Sequence, residues 1–201
     1  MPAELDVETP FGPARVQLHR LVRARAALVL GHGAGGGIGS RDLVAATEAA
    51  LAEGFVVALV EQPYRVAGRR SPAPARQLDI AWTAVVAQLR SAELPETLPL
   101  VVGGRSMGAR VACRTAEATG AVGVLCLAFP VHPPGRPEKS RLSELDAVTV
   151  PTLVVQGARD AFGMPPAAEV RTVIEVAGDH SLRTDLDAVA DAVAAWLRGL
   201  L

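Results

Sequence analysis

Seven short apolar runs recur along the chain: Ala14–Leu18, Ala26–Leu30, Val56–Val60, Leu100–Gly103, Val122–Ala128, Thr152–Gln156 and Thr172–Val176. Most are continuous rather than alternating, as expected of parallel strands buried on both faces. Segments with helical spacing lie between them. Leu78, Trp82, Val85, Val86 and Leu89 form one stripe, and Leu186, Val189, Val193, Trp196, Leu197 and Leu200 form another. This alternation predicts an open α/β fold with a mostly parallel central sheet, right-handed crossovers and flanking helices. There is no internal repeat. The Pro- and Arg-rich stretches 62–76 and 130–139 are too short to link domains, so one domain is expected over residues 1–201. Both stretches follow predicted strands. They therefore fall at the carboxyl edge of the sheet, where open α/β folds bind ligands.

Composition narrows the class. Half of the 201 residues are hydrophobic but only 3% are aromatic, so the core must be built mostly from Ala, Val and Leu. No apolar run approaches the ~18 residues of a membrane span. The opening stretch "MPAELDVETPFGPARVQ" is acidic and mixed, without the apolar region of a signal peptide. A net charge of -1 gives no reason to expect nucleic acid. Cys113 and Cys126 sit in apolar surroundings without a histidine pattern, which reads as inert buried thiols rather than a metal site. A cytoplasmic protein without membrane, nucleic-acid or metal partners is expected; the oligomeric state is not encoded in these patterns. Lys139 is the only lysine among 20 basic residues, a bias that fits a GC-rich bacterial genome.

Two glycine-rich motifs carry the candidate chemistry. In "LGHGAGGGIGS", Gly31, Gly33 and Gly36 match the G-x-G-x-x-G spacing of dinucleotide-binding folds, and Glu61 ends a later strand where such folds keep a ribose-binding acid. A dinucleotide-binding helix should begin near the second glycine. Here the glycines run on to Gly39, and helical spacing starts near Ser40, with Leu43, Val44, Thr47 and Leu51. The stretch suits better a loop that offers backbone N–H groups to an oxyanion. Glu61 then reads as a strand-end residue, solvated or lining the cleft.

The second motif, "VVGGRSMGAR", contains Gly104-Arg-Ser106-Met-Gly108, a G-x-S-x-G pattern that closes an apolar strand and opens a helical segment with Val111, Ala112 and Thr115. That context is what a nucleophile elbow needs: the serine hydroxyl is lifted above the sheet edge by a sharp turn. A serine cap after a glycine turn is the plainer alternative. A serine hydroxyl attacks only when a base takes its proton, and the base needs a carboxylate to fix its tautomer. On this fold the partners follow in the order serine, acid, histidine. Asp160, in "VVQGARDAFG", lies in a loop just past a strand. His180, in "VAGDHSLR", is the only histidine after it. Asp179 is the rival acid, but it adjoins the histidine and reaches back to the ring poorly. The oxyanion donors are then the N–H groups of Met107 and Ala34.

Other residues fall near this edge. His32 belongs to the glycine loop, where bonding to loop backbone competes with a place in the pocket. His132, in "FPVHPPGRPE", either lines the pocket or is structural. Arg65, Arg69, Arg70 and Arg76 stand without an acid between Glu61 and Asp79, and Arg105 and Arg136 come from strand ends at the same edge. Guanidinium groups suit carboxylate or phosphate, so His32, Arg65, Arg69, Arg70, Arg105 and His132 are the candidate substrate contacts. A solvated arginine loop is the alternative.

With these residues identified, the chain resembles small capless α/β-hydrolases related to the dienelactone hydrolase superfamily, and within it the KANL/testis-expressed group. The resemblance rests on "GHGAGGG", "GGRSMGAR", "FPVHPPGRPE", "VVQGARDAFG" and "GDHSL" and spans about residues 26–182. It implies an α/β-hydrolase fold and a Ser106–Asp160–His180 triad that needs no metal or cofactor. Dienelactone hydrolase itself uses a cysteine nucleophile, a departure from the pattern here. The loop between Pro130 and Leu145 is too short for the large helical cap of many lipases. The reading is therefore a serine hydrolase acting on a small soluble ester or thioester, with an anionic substrate favoured if the arginines face it. A binding or scaffold protein on the same fold, and an acyltransferase, are the alternatives.

Overall fold

The computed structural model describes residues 2–95 and 97–201. Eight strands form one sheet: β1 (Ala3–Val7), β2 (Ala14–His19), β3 (Ala26–Gly31), β4 (Phe55–Glu61), β5 (Leu100–Arg105), β6 (Gly123–Leu127), β7 (Thr152–Gly157) and β8 (Arg171–Val176). Their spatial order is β1-β2-β4-β3-β5-β6-β7-β8. β1 runs antiparallel to β2 and β2 to β4, and β3 through β8 are parallel. Among the described residues the helices are α1 (Arg41–Ala52), α2 (Pro63–Val66), α3 (Ala75–Ala92), α4 (Met107–Thr115), α5 (Leu142–Asp146) and α6 (Leu186–Leu200). This is the α/β-hydrolase fold, with no large cap above the carboxyl edge.

The seven predicted strands are all present, with ends moved by a residue or two. The sequence reading missed β1, whose stretch "AELDV" alternates apolar and acidic residues and pairs only with β2 at the sheet edge. It also missed α2 and α5, which span four and five residues and are too short to show a helical period.

The core lies in two layers. On one face α1 and α6 bring Leu43, Ala46, Val189, Val193 and Leu197 against Leu28, Leu30, Val101, Leu125 and Leu153. On the other, α3 and α4 bring Trp82, Val85, Leu89, Val111 and Ala112 against Val29, Val102, Val124 and Val154. With few aromatics, this packing depends on close backbone approach. A Cβ on Gly108 would stand 2.3 Å from the Gly31 carbonyl oxygen, and one on Gly104 only 2.4 Å from the same atom. Glycine at these positions lets α4 press directly onto β3, which seats the strand–helix turn at the centre of the sheet. No helix among the described residues is long and apolar enough to cross a membrane.

Candidate active site

Ser106 joins β5 to α4 with φ 52° and ψ -106°. For a non-glycine residue this conformation is strained, by about 1–3 kcal/mol. The turn is held by Ser106 N–H donating to the Leu127 carbonyl at 2.9 Å. Its hydroxyl points out of the sheet edge, with Oγ 3.0 Å from His180 Nε2. The other ring nitrogen, Nδ1, lies 2.8 Å from Asp160 Oδ2. A neutral imidazole with its proton on Nδ1 satisfies both contacts: it donates to the carboxylate and accepts from the serine hydroxyl.

Asp160 follows β7 in a short loop, and its side chain is only 1% exposed. A carboxylate buried this far needs donors on both oxygens. Oδ1 accepts from Phe162 N–H at 2.8 Å, and Oδ2 also accepts from Gln156 Nε2 at 2.8 Å. Gln156 itself is fixed by the Phe129 and Gly163 carbonyls. The Phe162 ring stacks on the His180 ring, with centroids 4.0 Å apart. Asp179 is turned elsewhere. It is exposed and accepts from the Ser181 hydroxyl and N–H, which hold its carboxyl below the usual carboxylate range.

The glycine loop after β3 faces the elbow. Gly36 lies in a turn, its N–H donating to the Gly33 carbonyl, and α1 begins only at Arg41 with Ser40 as its N-cap. This is not the helix–strand contact that a dinucleotide-binding glycine makes. Among the described residues, neither the Ala34 N–H nor the Met107 N–H is taken up by another protein group. Met107 is the first residue of α4, where helical N–H groups have no internal partner.

Two predicted substrate contacts are corrected here. His32 is completely buried behind the loop. Its Nδ1 donates to the Gly33 carbonyl at 2.7 Å, and its Nε2 accepts from Gln62 N–H at 3.1 Å. Burial pushes its pKa down, so the neutral ring that makes both bonds is the favoured form. The Gly33 carbonyl and the Ala34 N–H belong to one planar peptide and point opposite ways. By gripping the carbonyl, His32 turns the N–H outward. Tyr64, which the sequence did not suggest, grips the next peptide: its hydroxyl donates to the Ala34 carbonyl at 3.0 Å.

Arg105 is the second correction. Its guanidinium is engaged by protein groups, with Nε 2.8 Å from Asp42 Oδ2 and Nη2 donating to the His180 carbonyl at 2.9 Å.

The remaining candidates divide. His132 is half-buried, its Nδ1 2.9 Å from the Pro133 carbonyl oxygen and its backbone N–H bonded to the Phe162 carbonyl. It braces the loop that carries Phe162. Arg65 is half-buried on α2, close enough for its charge to bear on His32 and Tyr64. Arg69 and Arg70 are exposed. Arg69 lines a cavity with Tyr64, Gln77 and Leu78 to which Ser106, Asp160 and His180 do not contribute. Glu61 is half-buried at the end of β4, beside Gly37. Among the described residues no group of three His, Cys, Asp or Glu side chains is placed to hold a metal ion. Cys113 and Cys126 are free, buried thiols with sulfurs 3.5 Å apart.

A family model described as an alpha/beta hydrolase domain matches residues 24–192. No curated protein sequence matches the chain. Solved structures similar to it include an α/β serine hydrolase without a lid from Xanthomonas campestris. Its TM-score is 0.80 at 21% identity, covering 100% of this chain and 95% of that one. Est1E from Butyrivibrio proteoclasticus aligns with a TM-score of 0.78 at 15% identity over 98% of both chains. The Pyrococcus furiosus esterase Pf2001 aligns with a TM-score of 0.76 at 16% identity, covering 99% of this chain and 90% of that one. At these identities the likeness is one of fold.

Proposed function

The chain belongs to the alpha/beta hydrolase domain family, and from that premise we propose that it is a serine hydrolase cleaving small esters or thioesters through an acyl-enzyme on Ser106. One observation carries the reading: the relay from Ser106 Oγ to His180 Nε2 at 3.0 Å and from His180 Nδ1 to Asp160 Oδ2 at 2.8 Å. In this mechanism His180 takes the hydroxyl proton as Ser106 Oγ attacks the carbonyl carbon. Asp160 holds the ring and stabilises the imidazolium. The negative charge that develops on the carbonyl oxygen is received by the Ala34 and Met107 N–H groups, which are held in place beforehand. His180 then gives its proton to the departing alcohol or thiol. Water, activated by the same histidine, releases the acid and frees Ser106.

The whole of residues 1–201 acts as one domain in this proposal. Its motifs favour the KANL/testis-expressed type among dienelactone hydrolase relatives. An uncovered site leaves the acyl-enzyme open to water, which favours hydrolysis over acyl transfer. Free, buried thiols fit the reducing conditions of a cytoplasm. The arginines of the segment 62–76 support a substrate bearing an anionic group.

The test is a fluorophosphonate probe followed by a screen of short acyl esters and thioesters, with Ser106→Ala as blank. We expect labelling and turnover in the wild type. In Ser106→Ala we expect no labelling and a kcat lower by roughly 10⁴- to 10⁶-fold. A folded wild-type protein that neither labels nor turns over any ester would instead be a binding protein on this fold. More than a tenth of wild-type activity in Ser106→Ala would remove Ser106 as the nucleophile.

A further inference from the structure

Arg105 stands between Gly104 and Ser106, yet its side chain is only 18% exposed. Its three nitrogens meet three different parts of the chain. Nε lies 2.8 Å from Oδ2 of Asp42, at an angle that makes the contact ionic rather than a directed hydrogen bond. Nη2 donates to the His180 carbonyl at 2.9 Å. Nη1 fits against the glycine loop so closely that a Cβ on Gly33 would stand 2.8 Å from it. Asp42, in the first turn of α1, is itself 1% exposed and meets no other cation among the described residues. The remaining Asp42 oxygen accepts from the Leu43 N–H.

These contacts tie together α1, the elbow, the glycine loop and the segment that carries His180. The segment from Ala177 to Asp185 that carries His180 contains no helix or strand. Its turns are local: Leu182 N–H bonds to the Asp179 carbonyl, and Asp179 bonds to Ser181. The Nη2 bond fixes the carbonyl of His180 itself, and so fixes where its Cα sits relative to the elbow. A lysine would supply one point charge where the planar guanidinium supplies a fork that reaches three ways.

On the hydrolase reading above, we propose that Arg105 is a positioning residue. Anchored on Asp42, it holds His180 in line with Ser106 and braces the Gly33–Ala34 peptide against the elbow. It acts through His180 and the loop and touches no substrate.

Arg105→Lys is the first test, because it keeps a cation beside buried Asp42. The double variant Asp42→Asn/Arg105→Gln is the second, because it leaves no unpaired buried charge. With a short p-nitrophenyl ester, both should lose roughly 10- to 100-fold in kcat, with KM within about twofold, since the loss falls on transition-state geometry. The far-downfield proton resonance of His180 Nδ1–H should shift or broaden in both while the thermal midpoint of Arg105→Lys stays close to wild type. A folded Arg105→Lys with kcat within twofold of wild type and an unmoved resonance would overturn the proposal. So would a kcat loss that merely tracks a lowered midpoint with the resonance unchanged. The resonance needs no turnover. A wild type that fails to hydrolyse esters sinks the hydrolase reading, while the response of the resonance to Arg105→Lys still decides whether Arg105 holds His180.

Discussion

At the scale of single residues, the two neighbouring acids near His180 differ in what holds them. Asp160 is buried and receives donors from His180, Gln156 and Phe162. Asp179 is exposed and receives only Ser181. Asp160→Asn replaces an oxygen facing Nδ1–H with a donor or leaves the ring in the wrong tautomer, a change worth up to about 10⁴ in kcat. Asp179→Asn should cost less than about threefold, and steady-state rates in the opposite order would reassign the acid. That Asp160 rather than Asp179 meets the His180 ring was legible in the sequence because chain order and loop position restrict the choice. The partners that hold them in place were not. Gln156, Phe162 and Tyr64 act through contacts with atoms distant along the chain, and an arginine's type does not say whether it meets a substrate or Asp42. His32 gives a second prediction at this scale. Burial lowers its pKa below the ordinary 6.5, so the unfolded chain binds its proton first as pH falls. The stability from neutral His32 is fully present above about pH 6.5 and is lost as pH drops toward the folded pKa. Urea unfolding between pH 5 and 7.5 should show this slope in the wild type and a shallower one in His32→Gln. His19, whose pKa is also lowered by burial, contributes equally to both proteins and cancels. Equal slopes would mean that the charge of His32 is not linked to folding.

At the scale of elements, the continuous apolar runs announced the strands because each is buried on both faces, as in β3 and β7. The glycine loop was ambiguous by spacing alone. What decided it was where the following helix starts, a property of Ser40 and Arg41 rather than of the glycines. The G-x-S-x-G pattern placed Gly104 and Gly108 on either side of the turn, but only the packing shows what each of them meets. Both face the backbone of Gly31. Backbone cannot rotate aside as a side-chain tip can, so Gly108→Ala must push α4 away from β3. We expect a loss of about 3 kcal/mol or more in unfolding free energy, at the upper end for overpacking. Because Ser106 caps α4, activity should fall further than stability explains. Gly35, in the glycine loop, provides the control: nothing lies within 4 Å of an added Cβ there. Thermal melts and rates of the two alanine variants, measured side by side, check the argument. A Gly108→Ala protein as stable and active as Gly35→Ala would show that α4 can shift without consequence.

At the scale of the whole molecule, the distribution of ion pairs separates the body from the mouth. On the body, Arg110 and Arg114 pair with Glu144 and Asp79, Arg171 with Asp146, and Arg198 with Glu53. Around the carboxyl edge, Arg65, Arg69, Arg70 and Arg76 on one side of Ser106, and Arg136, Lys139 and Arg141 on the other, meet no carboxylate among the described residues. Arg105 drops out of this group because Asp42 neutralises it. In a chain whose net charge is only -1, these seven cations lie at the carboxyl edge beside three carboxylates, Glu61, Glu138 and Asp179, and on the proposed function they would bear on an incoming substrate. Charge of one sign around an open site raises the local concentration of the opposite sign, and with it kcat/KM, by about tenfold at the low end of such effects. The comparison is between a neutral short ester and its ω-carboxylate analogue. At about 0.01 M salt, where the Debye length is about 30 Å, the anion should be preferred, and the preference should fade toward 1 M, where it is about 3 Å. Arg69→Glu/Arg70→Glu should remove much of the preference and leave the neutral ester unaffected, because neither side chain reaches the relay. A constant ratio of the two rates across that salt range would mean that these arginines serve only to keep the loop in water.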